Sequence, residues 1–462
     1  EEMILPLVIA SALFLENMDS TVLATSLPAI AIDLQIDPII LKLAFTSYLL
    51  SLAVFIPISG WMAERFGARK IFRTAIAVFT LASLACAFTT SLPGFIIARF
   101  VQGMGGAMMV PVGRFVLVRA VPKSGLVQAL SYLTLPALIG PVIGPLIGGF
   151  LTTYFHWRWI FFINVPMGLL GMALATRFVP DLKADSVTTL DSKGFILTGF
   201  GLSSLVFGLT ILGRDLLPIY AAPMLIASGF LCLVLYVRHA RHTAHPIIKL
   251  SLLSLPTFRT SVMGGFFFRA GIGSNPFLLP LMLQIGFGLS AFQSGSLTFA
   301  SSAGALLMKF TAPKILRRFG FRNILLVNGI LSAAFFGLIA MFSETTPHSV
   351  ILATLLAGGF FRSLQFTCLN AIAYADVAPE DLSRASSFAS VVQQISGSMG
   401  VAFAAIILEI LQYLRGDRIL MPEDFKIAFA VVSLLVASSI LFHRRLDREA
   451  GADVSGHSSS SL

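Results

Sequence analysis

Fourteen apolar stretches of about twenty residues follow one another along this chain with only short polar gaps between them, and no other feature constrains its fold as strongly. They run over 5–30, 41–61, 71–90, 93–117, 126–152, 159–179, 194–213, 217–237, 259–285, 291–313, 323–343, 349–375, 385–414 and 425–443. A helix of about twenty residues crosses the ~30 Å hydrocarbon core of a bilayer. Inside lipid, only helices and closed barrels satisfy every backbone N–H and C=O. Composition matters here in one respect. With 56% hydrophobic and 12% charged residues, the chain has too little polar surface to coat a soluble domain. The expected class is therefore an all-α membrane protein with 14 transmembrane helices.

The net charge of +10 does not point to nucleic acid, because the bases gather in the short loops rather than in a basic patch on a soluble domain. Arg65, Arg69, Lys70, Arg73, Arg238, Arg241, Arg317 and Arg318 belong to the richer set of loops, against Lys42, Arg158, Arg214, Arg415 and Arg418 on the other side. The positive-inside rule then puts both termini in the cytoplasm, which an even number of spans satisfies. Cys86, Cys232 and Cys368 lie far apart in apolar runs and read as small core residues. All seven histidines, His443 among them, are expected in loops or at termini, so no metal, cofactor or enzyme chemistry is expected.

Three short matches recur in the same order. Leu27-Pro28 returns as Leu279-Pro280 at an offset of 252, Arg65-Phe66-Gly67 as Arg318-Phe319-Gly320 at 253, and Arg99-x-x-Gln102 as Arg362-x-x-Gln365 at 263. They divide the chain into an N-terminal six-helix bundle (1–180), a linker (181–193), an inserted two-helix hairpin (194–237), a second linker (238–258), a C-terminal six-helix bundle (259–445) and a disordered tail (446–462). The hairpin loop is short, from Gly213 through Arg214 and Asp215 to Leu216. Paired helical halves are the build of many secondary transporters. The sequence has no Walker loop, so ATP is not the expected energy source.

Four motifs stand out. The loop Gly60-Trp61-Met62-Ala63-Glu64-Arg65-Phe66-Gly67-Ala68-Arg69-Lys70 combines glycines at a tight turn with a charge cluster. Arg99-Phe100-Val101-Gln102-Gly103-Met104-Gly105 sets a base at membrane depth beside a smooth glycine face. Gly140-Pro141-Val142-Ile143-Gly144-Pro145-Leu146-Ile147-Gly148-Gly149 forms a small-residue ridge in which two prolines remove backbone donors. Finally, Asn17-Met18-Asp19-Ser20-Thr21 through Leu27-Pro28, with Trp157-Arg158-Trp159-Ile160-Phe161-Phe162-Ile163-Asn164-Val165-Pro166, places acids and amides at helix ends and within spans. These stretches resemble, in turn, the signature loop, the R-x-x-Q-G-x-G motif and the antiporter motif of the major facilitator superfamily, and the helix-one and helix-six patterns of its fourteen-span drug:proton antiporters. Glu64 stands where the family loop has Asp, and Ala68 where it has a base. The resemblance implies that Gly60, Glu64, Arg65, Gly67, Arg69 and Lys70 gate the inward and outward states. It also implies that Gly140, Pro141, Gly144, Pro145, Gly148 and Gly149 belong to an exporter, and that Arg99 takes part in proton transfer.

Glu16 and Asp19 lie three residues apart on one helix face. A carboxylate at bilayer depth costs about 3 kcal/mol on insertion scales, and burial with mutual repulsion disfavours ionising both. The expectation is that Asp19 is the principal proton site, Glu16 assists, and Arg99 approaching Asp19 expels the proton. The plainer alternative is that a carboxylate merely neutralises an arginine. Asn17, Gln102, Arg269, Asn370, Gln365 and Gln394 are the further polar groups expected at a substrate cavity. Lys309 and Arg114 fall near helix ends and are expected to snorkel, whereas Arg269 sits mid-helix without an evident acid. The functional expectation is a proton-driven exporter of amphiphilic small molecules in a bacterial inner membrane. Its partners would be lipid, substrate and protons, it would use no cofactor, and it would be a monomer. Alternatives are a narrow-substrate metabolite or siderophore exporter preferring anions, and a membrane sensor without transport.

Overall fold

The computed structural model describes residues 4–121, 123–183, 189–212 and 216–455. Every regular element among them is helical: α1 (Ile4–Asp33), α2 (Lys42–Phe66), α3 (Ala68–Phe88), α4 (Leu92–Ala120), α5 (Lys123–Tyr154), α6 (Trp159–Phe162), α7 (Asn164–Phe178), α8 (Ser192–Ile211), α9 (Ala221–Arg241), α10 (Pro256–Arg259), α11 (Gly265–Leu281), α12 (Ala291–Ala340), α13 (His348–Ile372), α14 (Leu382–Arg415), α15 (Pro422–Ser438), α16 (Ile440–His443) and α17 (Ala452–Ser455). Twelve helical stretches among the described residues are long and apolar enough to cross a membrane, against the fourteen expected. Two features account for the difference. The two helices of α12 meet at Gly320, whose backbone is not helical, and count as one stretch, and α5 falls outside the twelve because only its shorter part Ile139–Tyr154 is recognised as apolar.

Local chemistry sets the helix ends. Ser91 caps α4 by accepting from the Gly94 N–H at 3.3 Å, and Ser290 and Gln293 form a reciprocal capping box at the start of α12. Gly67 separates α2 from α3 at φ +98°, and Gly320 interrupts α12 at φ +69° and ψ 165°. Both positions end the repeated Arg-Phe-Gly triplet, so the sequence repeat is also a backbone repeat that only glycine adopts without strain.

The chain divides into two compact units, Glu1–Ile248 and Lys249–Leu462. The hairpin α8–α9 belongs to the first, where α8 packs on α2 and the pair shares small apolar clusters around Leu43, Leu50, Val54 and Val206. Also in the first unit, α1 packs on α5, and α4 on both α2 and α3, around Ile9, Leu13, Phe72, Phe79 and Val112. In the second, α11 packs on α14 and α15, and α12 on α13. Residues 213–215 of the hairpin loop and 456–462 of the tail lie outside the described residues. The remainder of the stretch expected to be disordered includes buried Leu446 and the single turn α17.

Candidate functional site: a buried ion pair in the first unit

Asp19 lies halfway along α1 and Arg99 in the second turn of α4, so each is carried by a long apolar helix rather than a loop. Their burial is nearly complete, with 2% and 1% of the residue exposed. Arg99 Nη1 donates to Asp19 Oδ2 at 2.7 Å and to Gln102 Oε1, one helical turn further along, at 2.6 Å. Asn164, the first residue of α7, donates from Nδ2 to the other carboxylate oxygen of Asp19 at 2.6 Å and to Ser83 Oγ at 2.9 Å. Ser83 in turn donates to the Phe161 carbonyl. The guanidinium stands 4.3 Å from the Tyr48 ring centroid, a cation–π contact that covers the charge without adding an acid. Tyr48 donates its hydroxyl to Glu16 Oε1 at 3.2 Å. Four helices and one tyrosine thus converge on a single carboxylate–guanidinium pair, with Glu16 next to it and half-buried.

Three buried atoms around the pair have no hydrogen-bond partner among the described residues: Arg99 Nε, Gln102 Nε2 and Asn164 Oδ1. Unpaired buried polar atoms are expensive. They leave this cluster a second set of bonds to make when the charge on Asp19 changes. Chemically, the cluster can hold one negative and one positive charge together, separate them, and offer either to a proton or a ligand.

The glycine ridge of α5 seats α1. A methyl group on Gly144 would run into the Thr21 hydroxyl, and one on Gly148 would lie 2.5 Å from the Val22 carbonyl. Side chains on α5 would therefore push away the helix that carries Asp19. Beyond Asp19, at the end of α1, Asp33 accepts from Trp157 Nε1 and Arg158 Nη2, both at 3.0 Å. Arg158 also ties down the Ala87 and Thr89 carbonyls. This clamp fixes the turn that presents Asn164.

Of the residues expected at a cavity, Gln102 joins the ion pair, whereas half-buried Asn17 folds back on its own helix to the Leu13 carbonyl at 2.8 Å. Arg269 and Asn370 are brought together at 3.0 Å in the second unit, where Gln365 is buried against Asn328 and the Leu325 carbonyl. Gln394 is half-buried and makes no side-chain hydrogen bond among the described residues. In the expected gating loop, Gly67 makes the turn, Arg69 donates to the Val179 carbonyl, Arg65 lies over Trp61 and Phe66, and Gly60 has open space around it. Glu64 is half-buried without an ion pair among the described residues, and Lys70 is exposed.

Two expectations need correcting. His443 is fully buried at the end of α16, 3.5 Å from Gln365, because the last apolar segment extends through it. Lys309 donates to Thr367 Oγ1 at 2.7 Å on the neighbouring helix α13 instead of snorkelling. Asn164, Ser83 and Tyr48 were missed as site residues. The signal for Asn164 was present, an amide just inside a span and next to a proline-bearing turn, but no spacing rule connects residues 19, 83 and 164.

The model of the Major Facilitator Superfamily matches residues 9–401, and matches again over 261–456. "Probable transport protein HsrA" of Haemophilus influenzae is 34% identical over 444 residues, covering 96% of both chains. "Putative multidrug resistance protein MdtD" of Pectobacterium atrosepticum is 37% identical over 409 residues, 87% of this chain and 86% of that one. The protein of the same name from Citrobacter koseri is 33% identical over 96% of this chain and 94% of its own. Among solved structures, a D-xylose-proton symporter superposes with a TM-score of 0.68 at 14% identity, covering 96% of this chain and 98% of that chain. The nucleoside transporter NupG does so with a TM-score of 0.60 at 13% identity, over 96% of this chain and 100% of that one. An all-helical, multi-pass membrane protein with this sequence belongs to the Major Facilitator Superfamily.

Proposed function

We propose that the protein is a proton-coupled antiporter that exports amphiphilic, drug-like small molecules across the bacterial inner membrane by alternating access. The observation that carries this reading is the buried Asp19–Arg99 pair, held by Asn164 and Gln102 within long apolar helices. A proton arriving on Asp19 cancels the pair and frees Arg99 and Asn164 for other partners. Its departure re-forms the pair, so the cluster has two charge states with two sets of hydrogen bonds. A protein that toggles between such states while rocking needs no cofactor beyond the proton gradient. Relatives named as multidrug resistance proteins support the substrate class.

The same reading takes fourteen passes, both termini in the cytoplasm and a monomer. The break at Gly320 divides α12 into stretches of about 44 Å and about 30 Å at 1.5 Å per residue, each long enough to be a span. α5, at 32 residues or ~48 Å, supplies another.

The test is transport by purified protein in liposomes carrying an internal pH dye, with cationic, neutral and anionic amphiphiles added under an imposed proton gradient. Substrate-dependent proton movement is expected for the wild type and not for Asp19→Asn. Equal coupled flux in the two proteins would end the assignment.

A further inference from the structure

The repeat that relates the two halves leaves one charge unmatched. The offset of 252 linking Leu27-Pro28 to Leu279-Pro280 carries Asp19 to Gly271, while Arg99 has its counterpart in Arg362. The second half therefore keeps the base and lacks the acid. Arg362 donates instead to a neutral hydroxyl, Ser301 Oγ, at 2.6 Å. Two further bases reach the same helix. Lys309 ends on Thr367 Oγ1 at 2.7 Å, and Arg269 donates to Asn370 Oδ1 at 3.0 Å and to the Ser261 carbonyl at 3.0 Å with its guanidinium 5.5 Å from the Phe366 ring. Thr367 and Asn370 lie one turn apart on α13, so Lys309 and Arg269 meet neighbouring turns of that helix, whereas Arg362 leaves it for Ser301 on α12, eight residues before Lys309. None has a carboxylate partner among the described residues, although bases inside a bilayer are ordinarily paired with acids. Arg269 is 3% exposed, and its Nε has no partner. Beside it Asn370 is exposed, so this buried cation lies next to an open polar face.

We infer that the α13 face bearing Phe366, Thr367 and Asn370 binds an anionic group, a carboxylate, sulfonate or phosphate on an apolar body, between Arg269 and Lys309. Thr367 Oγ1, Asn370 Oδ1 and the Ser261 carbonyl hold the two bases in place when the site is empty, and an anion replaces the side-chain oxygens with charge-assisted bonds of roughly twice the strength. Phe366 offers an apolar surface for the body of the molecule. The inference names the substrate class within the exporter reading and rests on it.

Equilibrium binding to the full chain in phosphatidylcholine nanodiscs tests the site without a proton gradient, so its outcome is independent of the liposome assay. Dansylglycine and dansylcadaverine share a fluorophore and carry opposite charges. The wild type is expected to bind dansylglycine about tenfold more tightly than dansylcadaverine, a difference of about 1.4 kcal/mol. Arg269→Gln and Lys309→Gln should each lose about that preference by weakening the anion alone, and Arg269→Lys should retain it. If Arg269→Gln does not fold, Lys309→Gln, at a half-buried position with a single hydroxyl partner, carries the comparison. Wild-type protein that binds the cationic probe as tightly as the anionic one overturns the inference, as does a parallel loss of both probes in the variants. Phosphatidylglycerol in the nanodisc separates the sources of the anion. Competition with dansylglycine identifies a lipid headgroup, and its absence identifies a solute; either result keeps the site. An anion preference with no proton movement would keep the site and remove antiport. Proton-coupled flux of cations alone would do the reverse.

Discussion

Removing one member of the Asp19–Arg99 pair should cost far more stability than removing both. Asp19→Asn leaves a guanidinium that is 1% exposed without its counter-charge. It also replaces two acceptor oxygens by one oxygen and one N–H₂, while Arg99 and Asn164 both go on donating to position 19. One donor then faces another donor. Breaking a buried pair from one side costs about 3–5 kcal/mol, most of it the penalty for the stranded charge. Arg99→Gln strands the carboxylate in the same way, except that Asn164 still donates to it. In the double variant the bonds match again: the amide at 19 accepts from Asn164 and donates to the amide at 99, and no charge is buried. A residual cost of about 1–2 kcal/mol is expected, so the coupling between the two sites should exceed about 2 kcal/mol in favour of the double variant. Thermal unfolding of the four proteins in one detergent reads this as an order of midpoints: wild type highest, double variant next, both single variants well below. Transport separates stability from function, since the double variant should be well folded yet unable to couple. Additive losses in the double variant, or an Asp19→Asn protein as stable as the wild type, would refute the buried pair as described.

Three further outcomes are expected. Asn164→Leu removes the donor to Asp19 and to Ser83 and should lower coupled flux while costing about 1–3 kcal/mol, a loss that Asn164→Ser should partly restore in the same liposome assay. Gly148→Val forces α5 away from the Val22 carbonyl and should lower the unfolding midpoint by an overpacking cost of about 1–3 kcal/mol, whereas a substitution at Gly60, with open space around it, should leave it unchanged. Asp191 caps α8 through the Gly194 N–H and also accepts from His239 Nε2 at 2.7 Å and from the Ile247 N–H. Burial pushes its carboxyl up, but these hydrogen bonds outweigh burial and hold it below its ordinary value of 3.8. A carboxyl depressed in the folded state contributes stability that is fully present above its unfolded value and lost as pH falls through the folded one. Hydrogen exchange at Gly194 and Ile247, corrected for its intrinsic pH dependence, should therefore show protection that falls only below about pH 4. Asp191→Ala should remove that dependence at a cost of about 0.5–2 kcal/mol; a loss of protection near neutral pH in the wild type would refute the assignment to Asp191.

The membrane class, the position of the acids on α1 and the arginine on α4 were legible because each depends on one helix at a time. A run of apolar residues, or a charge inside it, is visible without knowing any neighbour. What failed to show is what needs two or more helices at once. Asn164 meets Asp19 across a separation of 145 residues and Ser83 across 81, and the partner that makes it functional is set by packing. Lys309 looked like a snorkelling base because its position near a helix end was readable and the Thr367 hydroxyl was not. His443 closes the apolar run 425–443, and its burial beside Gln365 is set by a neighbouring helix that the run itself does not reveal. Span counting met a different problem: the backbone breaks at Gly320 between the two sequence segments, yet the helices on either side abut with no loop between them and count as one stretch.

The ridge and the ion pair, which the sequence presents as separate motifs, act on one helix. Gly140 approaches α1 at Phe14 and Met18, Gly144 at Thr21, and Gly148 at Val22 and Thr25, so α5 grips α1 on both sides of Asp19. Thr152 adds a 2.7 Å bond to Ser26 at the end of this contact. A carboxylate held on a helix with that little freedom cannot follow its partner if α4 or α7 shifts. The distance to Arg99 or Asn164 must change instead. That is the property a coupling site requires: helix motion becomes a change in the number of donors around one acid. It also means that the small-residue ridge acts as a positioning element for Asp19. Under the proposed function, substitutions on it should disturb coupling in proportion to how far they lift α1, even where they do not touch Asp19.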